Sequence, residues 1–233
     1  MGLPIFYLEE FTGNNTVELN EETSRHIVQV LRMQEGSQIQ LTDGRGRLMD
    51  AEITAAHKKK TLVKILRQQS IAPSENKITI AISPIKNTSR FEWFLEKATE
   101  IGVNKIIPLI CQRTEKEKLR TARLQQIIIS AMLQSRQSWL PVLQEPTLFK
   151  NVLDNETFEK KFIAHCEDGV KNILSIEQKG SNSAIILIGP EGDFTSNEIR
   201  EAIEKKFIPV SLGENRLRTE TAGVVAVTLL NFK

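Results

Sequence analysis

From Lys77 onward the chain alternates short apolar runs with amphipathic stretches, and no other feature limits its fold as tightly. KITIAIS (77–83) reads as a buried strand, and NTSRFEWFLEKATEIG (87–102) sets Phe91, Phe94, Leu95, Ala98 and Ile101 near helical spacing. NKIIPLI (104–110) is the next strand and ARLQQIIISAMLQS (122–135) the next amphipathic helix. KKFIAHC (160–166), AIILIG (184–189) and FIPVSLG (207–213) are further strands, with helices over Ser196–Lys205 and from Glu220 to about Asn231. Such alternation predicts an α/β domain with a mostly parallel sheet covered on both faces. On local pattern alone this is a plain doubly wound sheet, since threaded chains are very rare.

The first 69 residues have a different rhythm. NEETSRHIVQVLR (20–32) predicts one helix with Ile27, Val28, Val30 and Leu31 on a broad apolar face. SQIQLTDGRGRLMDAEIT (37–54) alternates on either side of Asp43-Gly44 as a hairpin does, and TLVKILRQ (61–68) alternates again. Short strands and one helix predict a small β-barrel-like domain, and the polar stretch 70–76 around Pro73 reads as a linker.

A formal charge of +2 is too small to indicate a nucleic-acid partner, so any basic surface has to come from local clustering. Cys111 and Cys166 lie far apart in apolar surroundings and form no C-x-x-C pair, which argues against zinc or thioredoxin-like chemistry. Free thiols fit a reducing cytoplasm. The start, MGLPIFYLEEF, lacks a basic lead-in and meets Glu9 and Glu10 at once, so no secretory signal is expected. No stretch reaches the length of a membrane span, and a cytoplasmic protein is expected.

Three loops follow strand ends: HCED (165–168), GPEGD (189–193) and GENRLRTET (213–221). In an open α/β sheet, ligands bind beyond the carboxyl ends of the strands. Gly189 and Gly192 permit positive φ and close approach of backbone to a ligand, and Thr195-x-x-Glu198 reads as a capping box that starts the next helix beside the loop. The same residues also make a sound strand–turn–helix corner. Arg216 and Arg218 stand two apart, with Glu220 next, before the apolar AGVVAVTLL; a solvated charge run would look the same.

LIGPEGDFTSNEI and LGENRLRTETAGVVAV resemble the two signature segments of the uridine N3-methyltransferases of small-subunit ribosomal RNA, members of the knotted SPOUT class. RHIVQVLRMQEGSQIQLTDGRG is similar to that family's PUA-like RNA-binding domain, and RFEWFLEKATEIGVNKIIPL to the start of its catalytic domain, so the resemblance spans nearly the whole chain. Asp193 and Arg136 stand where the family commonly has glycine, Leu133 where it has Glu, Asn215 where it has Arg, and Arg216 where it has an aliphatic residue.

The resemblance implies a PUA-like domain over 1–72 and a trefoil-knotted methyltransferase domain over 73–233. It implies S-adenosylmethionine (AdoMet) as cofactor, S-adenosylhomocysteine as product, and no metal. It assigns the cofactor pocket to His165, Cys166, Gly189, Pro190, Glu191, Gly192, Leu212, Gly213, Asn215 and Leu217. Its partners are 16S ribosomal RNA, within the assembled small subunit, and a second copy of the chain, with no membrane.

Uracil N3 must shed its proton to attack a methylsulfonium carbon, which is already activated and calls for neither metal nor covalent intermediate. Positioning and charge stabilisation then carry catalysis. Arg218 is expected to stabilise the uracil carbonyls, with Arg216 holding a phosphate or the base; nothing in the sequence identifies a general base. His165 stays open between that role and a structural one, and His26 reads as a packing or capping residue. Arg25, Arg32, Arg45 and Arg47 are expected phosphate contacts, extended by Arg90 and Arg113. Two alternatives remain: a non-catalytic RNA-binding or ribosome-assembly protein of the same fold, and a nucleotide-binding oxidoreductase. The second lacks G-x-G-x-x-G after its first strand.

Overall fold

The computed structural model describes residues 2–154, 158–178 and 180–232, which form two compact units: 1–73 with 132–140, and 74–131 with 141–233. In the first, β1 (Ile5–Tyr7), β2 (Thr16–Glu18), β3 (Gln38–Thr42), β4 (Arg47–Ala55) and β5 (Leu62–Ser70) make one sheet in the order β1-β3-β4-β5-β2. Register shifts between β4 and β5, at Asp50/Ala51 and Ile53/Ala55, interrupt the ladder as β-bulges do, and bulges bend and twist a sheet. Ile39, Leu41, Met49, Ile53 and Val63 point to its apolar interior.

Asn20 caps α1 (Glu21–Arg25), accepting from the Thr23 amide at 2.8 Å. The single helix expected to Arg32 ends early, because His26–Val30 winds as a π-helical turn. Widening the turn rotates the later residues off the buried face. Ile27 stays fully buried, but Val30 is 66% exposed and Leu31 42% exposed, against the expected stripe. Arg32 then leaves the helix at φ 54°. Residues 132–140 join this unit through Trp139, whose Nε1 donates to the Ile71 carbonyl at 3.0 Å. Gly46, at φ 88°, lies under its ring; a Cβ there would come within 2.5 Å of it.

The second unit contains β6 (Lys77–Ile82), α2 (Thr88–Ile101), β7 (Lys105–Ile110), α3 (Thr121–Gln134, whose last residues lie in the first unit), β8 (Val142–Leu143), β9 (Thr147–Leu148) and α4 (Phe149–Leu153). It continues with β10 (Lys160–Ala164), β11 (Asn172–Ile173), α5 (Leu174–Glu177), β12 (Ser183–Ile188), α6 (Ser196–Glu204), β13 (Ile208–Ser211) and α7 (Thr219–Asn231). The sheet runs β11-β13-β10-β12-β6-β7-β8, β9 also pairs with β7, and the named pairings are parallel. Phe149, Phe194 and Phe207 cluster with Ile163, Ile185 and Leu187 in one buried core, while α7 packs against α2, β6 and β12.

That order corrects the plain doubly wound path. From β12 the chain crosses past β10 to lay down β13, then returns so that α7 packs on β6 and β12. This order, with α7 returning onto β6 and β12, differs from a doubly wound sheet wound outward from its centre. Among the described residues no helix is long and apolar enough to cross a membrane.

Gly223 sits inside α7 because α2 and β6 approach it closely: a Cβ would lie 2.6 Å from the Phe94 ring and 2.7 Å from Ile82 Cδ1. Replacing a mid-helix glycine with alanine ordinarily stabilises by about 0.5–1 kcal/mol, whereas overpacking a tight core costs about 1–3 kcal/mol. Gly223→Ala is therefore expected to lower the urea midpoint, and a raised midpoint would contradict this packing.

Candidate active site

Adjacent parallel strands deliver the three loops to one edge. Phe162, Ile163 and Ala164 of β10 register with Ile208, Pro209 and Val210 of β13 on one side, and with Ile186, Leu187 and Ile188 of β12 on the other. Residues 165–168, 189–193 and 212–218 therefore emerge side by side. Thr219, in the first turn of α7, ties two of them together by donating Oγ1 to the Gly189 carbonyl at 3.2 Å.

The GPEGD loop is held on several sides. The capping box at α6 is present: Glu198 Oε2 accepts from the Thr195 amide at 2.8 Å, and Oε1 accepts from the Gln112 amide at 2.8 Å. Arg113 Nη1 donates to the Gly192 carbonyl at 2.6 Å, and Glu191 Oε1 accepts from the Lys86 amide at 2.9 Å. The expected reason for the glycines needs correction, since neither Gly189 nor Gly192 has positive φ. A Cβ on Gly189 would instead press at 3.1 Å on the Phe194 ring, and one on Gly192 would only touch Arg113 at 3.4 Å.

The left-handed residue of this loop is Asp193, at φ 64°. Aspartate tolerates that region better than most side chains, and here its carboxylate is used twice. Oδ1 accepts from the Phe194 amide at 2.8 Å and Oδ2 from the Cys166 amide at 2.7 Å, which clasps the 165–168 loop to the 189–193 loop. Ser196 adds a second tie by donating to Glu167.

Two cavities open among these loops. One, of about 460 Å³, is lined by Gly189, Pro190, Glu191, Asp193, Arg216, Arg218 and Glu220, with Ile85, Asn87 and Arg90 from the start of α2 and the residues before it. The other, of about 360 Å³, is lined by His165, Lys171, Val210, Leu212, Gly213, Asn215 and their neighbours. Ala164, Cys166, Arg216, Leu217 and Ala222 belong to both, so the cavities are contiguous. Each is within the size range of small-molecule sites. Gly192 lines neither.

Both cavities carry groups without partners. The two ring nitrogens of His165 are buried and bond to nothing among the described residues. Burial, followed by the charge of Lys171, pushes this imidazole below its ordinary range. Gly213 has φ 145° and open space where a Cβ would stand. Arg216 and Arg218 are exposed and make no ion pair among the described residues. These features fit an AdoMet-sized ligand: apolar walls from Leu212, Leu217 and Val210, unused hydrogen-bonding atoms, and backbone open to close approach. Among the described residues there is no group of three or more His, Cys, Asp or Glu able to hold a metal ion.

The remaining arginines are dispersed. Arg25 pairs with Glu21 at 2.7 Å, and Arg47 Nε lies 3.6 Å from Asp43. Arg32 and Arg45 are exposed and make no ion pair among the described residues. Arg113 holds Gly192, and Arg90 Nη1 faces Glu220 Oε1 at 3.8 Å. His26 packs edge-on to Phe6. Sequence reasoning assigned no role to Asn87, Lys171 or Glu220. Glu220 stands only two residues from Arg218, but nothing in a linear pattern says that this carboxylate faces the same cavity.

Residues 72–231 match the family model described as an RNA methyltransferase domain, and residues 19–66 the one described as an RNA methyltransferase PUA domain. The chain is 32% identical to a ribosomal RNA small subunit methyltransferase E from a Synechocystis species, over 93% of this chain and 73% of that one. Its fold is similar to a probable rRNA-methyltransferase from Porphyromonas gingivalis (TM-score 0.91, 38% identity, 98% of each chain). It is also similar to a ribosomal RNA small subunit methyltransferase E from Neisseria gonorrhoeae bound to S-adenosyl methionine (TM-score 0.87, 33% identity, 97% of this chain and 95% of that one). The chain thus belongs to the family of ribosomal RNA small subunit methyltransferase E.

Because burial disfavours the charged imidazole, the folded protein binds a proton at His165 less readily than the unfolded chain does. This residue's contribution to stability is full above about pH 6.5 and is lost as pH falls through the lower folded-state value. An NMR titration of ligand-free protein should place the His165 midpoint below about 6.5; a midpoint above it would contradict the buried, unpartnered ring.

Proposed function

We propose that this chain transfers a methyl group from AdoMet to N3 of a uridine in 16S ribosomal RNA, releasing S-adenosylhomocysteine. The observation that carries the reading is the contiguity of the two cavities. One offers apolar walls and unused polar atoms, and the other offers the unpaired guanidiniums of Arg216 and Arg218. Bound AdoMet supplies a methyl group on positively charged sulfur, already activated for displacement.

His165, Leu212, Gly213, Asn215 and Leu217 hold the cofactor in the smaller cavity, with Gly189, Pro190, Glu191 and Cys166 at the shared boundary. Uracil enters the larger one. As N3 loses its proton, negative charge develops on the flanking carbonyl oxygens, and the Arg218 guanidinium stabilises it. A guanidinium stays charged at physiological pH and cannot act as a base, but it presents fixed donors. Donors already in place need no reorganisation as charge develops. Arg216 holds the adjoining phosphate or the base. Asp193 adopts the backbone conformation that glycine would, so this departure from the family pattern leaves the loop intact, and support for a non-catalytic relative of the same fold weakens.

Arg32 and Arg45, exposed and without an ion pair among the described residues, supply phosphate contacts, which position RNA without reading its sequence. The substrate is the assembled small subunit. The working form is a homodimer: Val224, Val225 and Leu229 on α7 are only half-buried in the single chain, and a second copy covers them.

Single-turnover incorporation of tritiated methyl into small subunits lacking the modification tests these roles. Arg218→Ala is expected to slow transfer by on the order of 10²–10³ with AdoMet affinity little changed. Arg218→Lys recovers part of the rate, and Arg216→Ala mainly weakens RNA binding. Full rates in both alanine variants would remove charge stabilisation by this loop from the mechanism.

A further inference from the structure

The proposed reaction has a step for which no residue has been named: the N3 proton must go somewhere. Three carboxylates line the larger cavity. Glu191 is taken up by the Lys86 amide, and Asp193 uses both oxygens on the Phe194 and Cys166 amides. Glu220 differs. Its side chain is 10% exposed, it accepts no hydrogen bond among the described residues, and its one charged contact is Arg90 Nη1 at 3.8 Å, beyond hydrogen-bonding reach.

The geometry points to Glu220 as the proton acceptor for uracil N3. It stands in the first turn of α7, two residues from Arg218, and lines the cavity together with Arg90 of α2 and the loop before α7. A carboxylate that lines the cavity and accepts no hydrogen bond among the described residues is free to accept one from a substrate N–H there. The charged and titratable groups facing it are Arg90 from α2, Arg216 and Arg218 from the preceding loop, and Glu191, Asp193 and Cys166 across the cavity.

The step balances within the proposed chemistry. The N3–H bond breaks and its proton passes to a Glu220 oxygen. The electron pair left on N3 forms the N–CH₃ bond, and the S–CH₃ pair stays on sulfur, which becomes a neutral thioether. Glu220 then returns the proton to water. His165 is the rival acceptor, but its ring lines the smaller cavity.

This inference rests on the function proposed above, so the test begins by identifying 3-methyluridine as the wild-type product on isolated small subunits. If Glu220 takes the proton, hydroxide is not needed, and the wild-type single-turnover rate should be level between about pH 6.5 and 8.5. Glu220→Gln should cut the rate by on the order of 10²–10⁴, and what remains should rise about tenfold per pH unit, because hydroxide must now remove the proton. AdoMet affinity should stay within about twofold, since the variant keeps the side chain's size. Glu220→Asp keeps a carboxylate and should retain the level profile at a reduced rate, which also covers the case of a glutamine variant that does not fold. If Glu220 only favours the α7 terminus and orients Arg90, Glu220→Gln will lose stability or affinity while its pH profile stays level, and the assignment fails. A sloping profile in Glu220→Asp would also overturn it. Wild-type protein that forms no 3-methyluridine would overturn the functional reading on which the inference stands.

Discussion

Phe162, Ile163 and Ala164 bond in parallel register to β12 on one side and to β13 on the other, and the site depends on this three-strand seam. Parallel strands place their carboxyl ends together, so three loops far apart in sequence begin within strand spacing of one another. The seam is close to fully apolar: Phe162, Ile163, Ile185, Ile186 and Leu187 are completely buried. A one-residue slip would turn each alternate side chain to the opposite face and move each loop along the edge. Loop geometry is therefore fixed by core packing well below the surface on which chemistry takes place.

Packing alone would leave the loops free to splay, and polar ties at the edge prevent this. Asp193 binds the backbone of the 165–168 loop, Thr219 bonds the Gly189 carbonyl, and Arg113 and Glu198 anchor the 189–193 loop to the chain after β7. Each tie joins segments more than 25 residues apart, which the path of the chain brings together. A site held in this way is preorganised, and fixed dipoles and donors are what a reaction limited by charge development needs. The His165 ring nitrogens, buried without a partner among the described residues, and the Glu220 carboxylate, which accepts no hydrogen bond among them, both line the cavities.

Much of this could be read in the chain, and the exceptions have physical causes. The strand–helix alternation after Lys77, the Asp43-Gly44 hairpin and the Thr195–Glu198 capping box are local patterns, and local physics produced them. Strand order and the threading of a knot depend on the path of the whole chain, which periodicity does not encode; the knot is what the resemblance implies. Val30 and Leu31 fit an α-helical stripe, yet one π-helical turn moved them to the surface. Of the two reasons expected for Gly189, positive φ is absent, and a Cβ there would press on the Phe194 ring, which no spacing rule announces. Asp193 and Arg136, the two positions where the resemblance leads one to expect glycine, both adopt positive φ. Arg113 and Arg90 looked alike as surface cations, but one anchors a loop and the other faces a buried acid. Such roles depend on which carbonyl or carboxylate lies opposite across the fold.

The proposed function leaves a chemical mark on ribosomal RNA. Nucleoside mass spectrometry of small-subunit ribosomal RNA, from cells with and without this chain, measures that mark directly. Three-methyluridine should be present in the first RNA, absent from the second, and restored when the gene is returned. Equal amounts of 3-methyluridine in both RNAs would contradict the account.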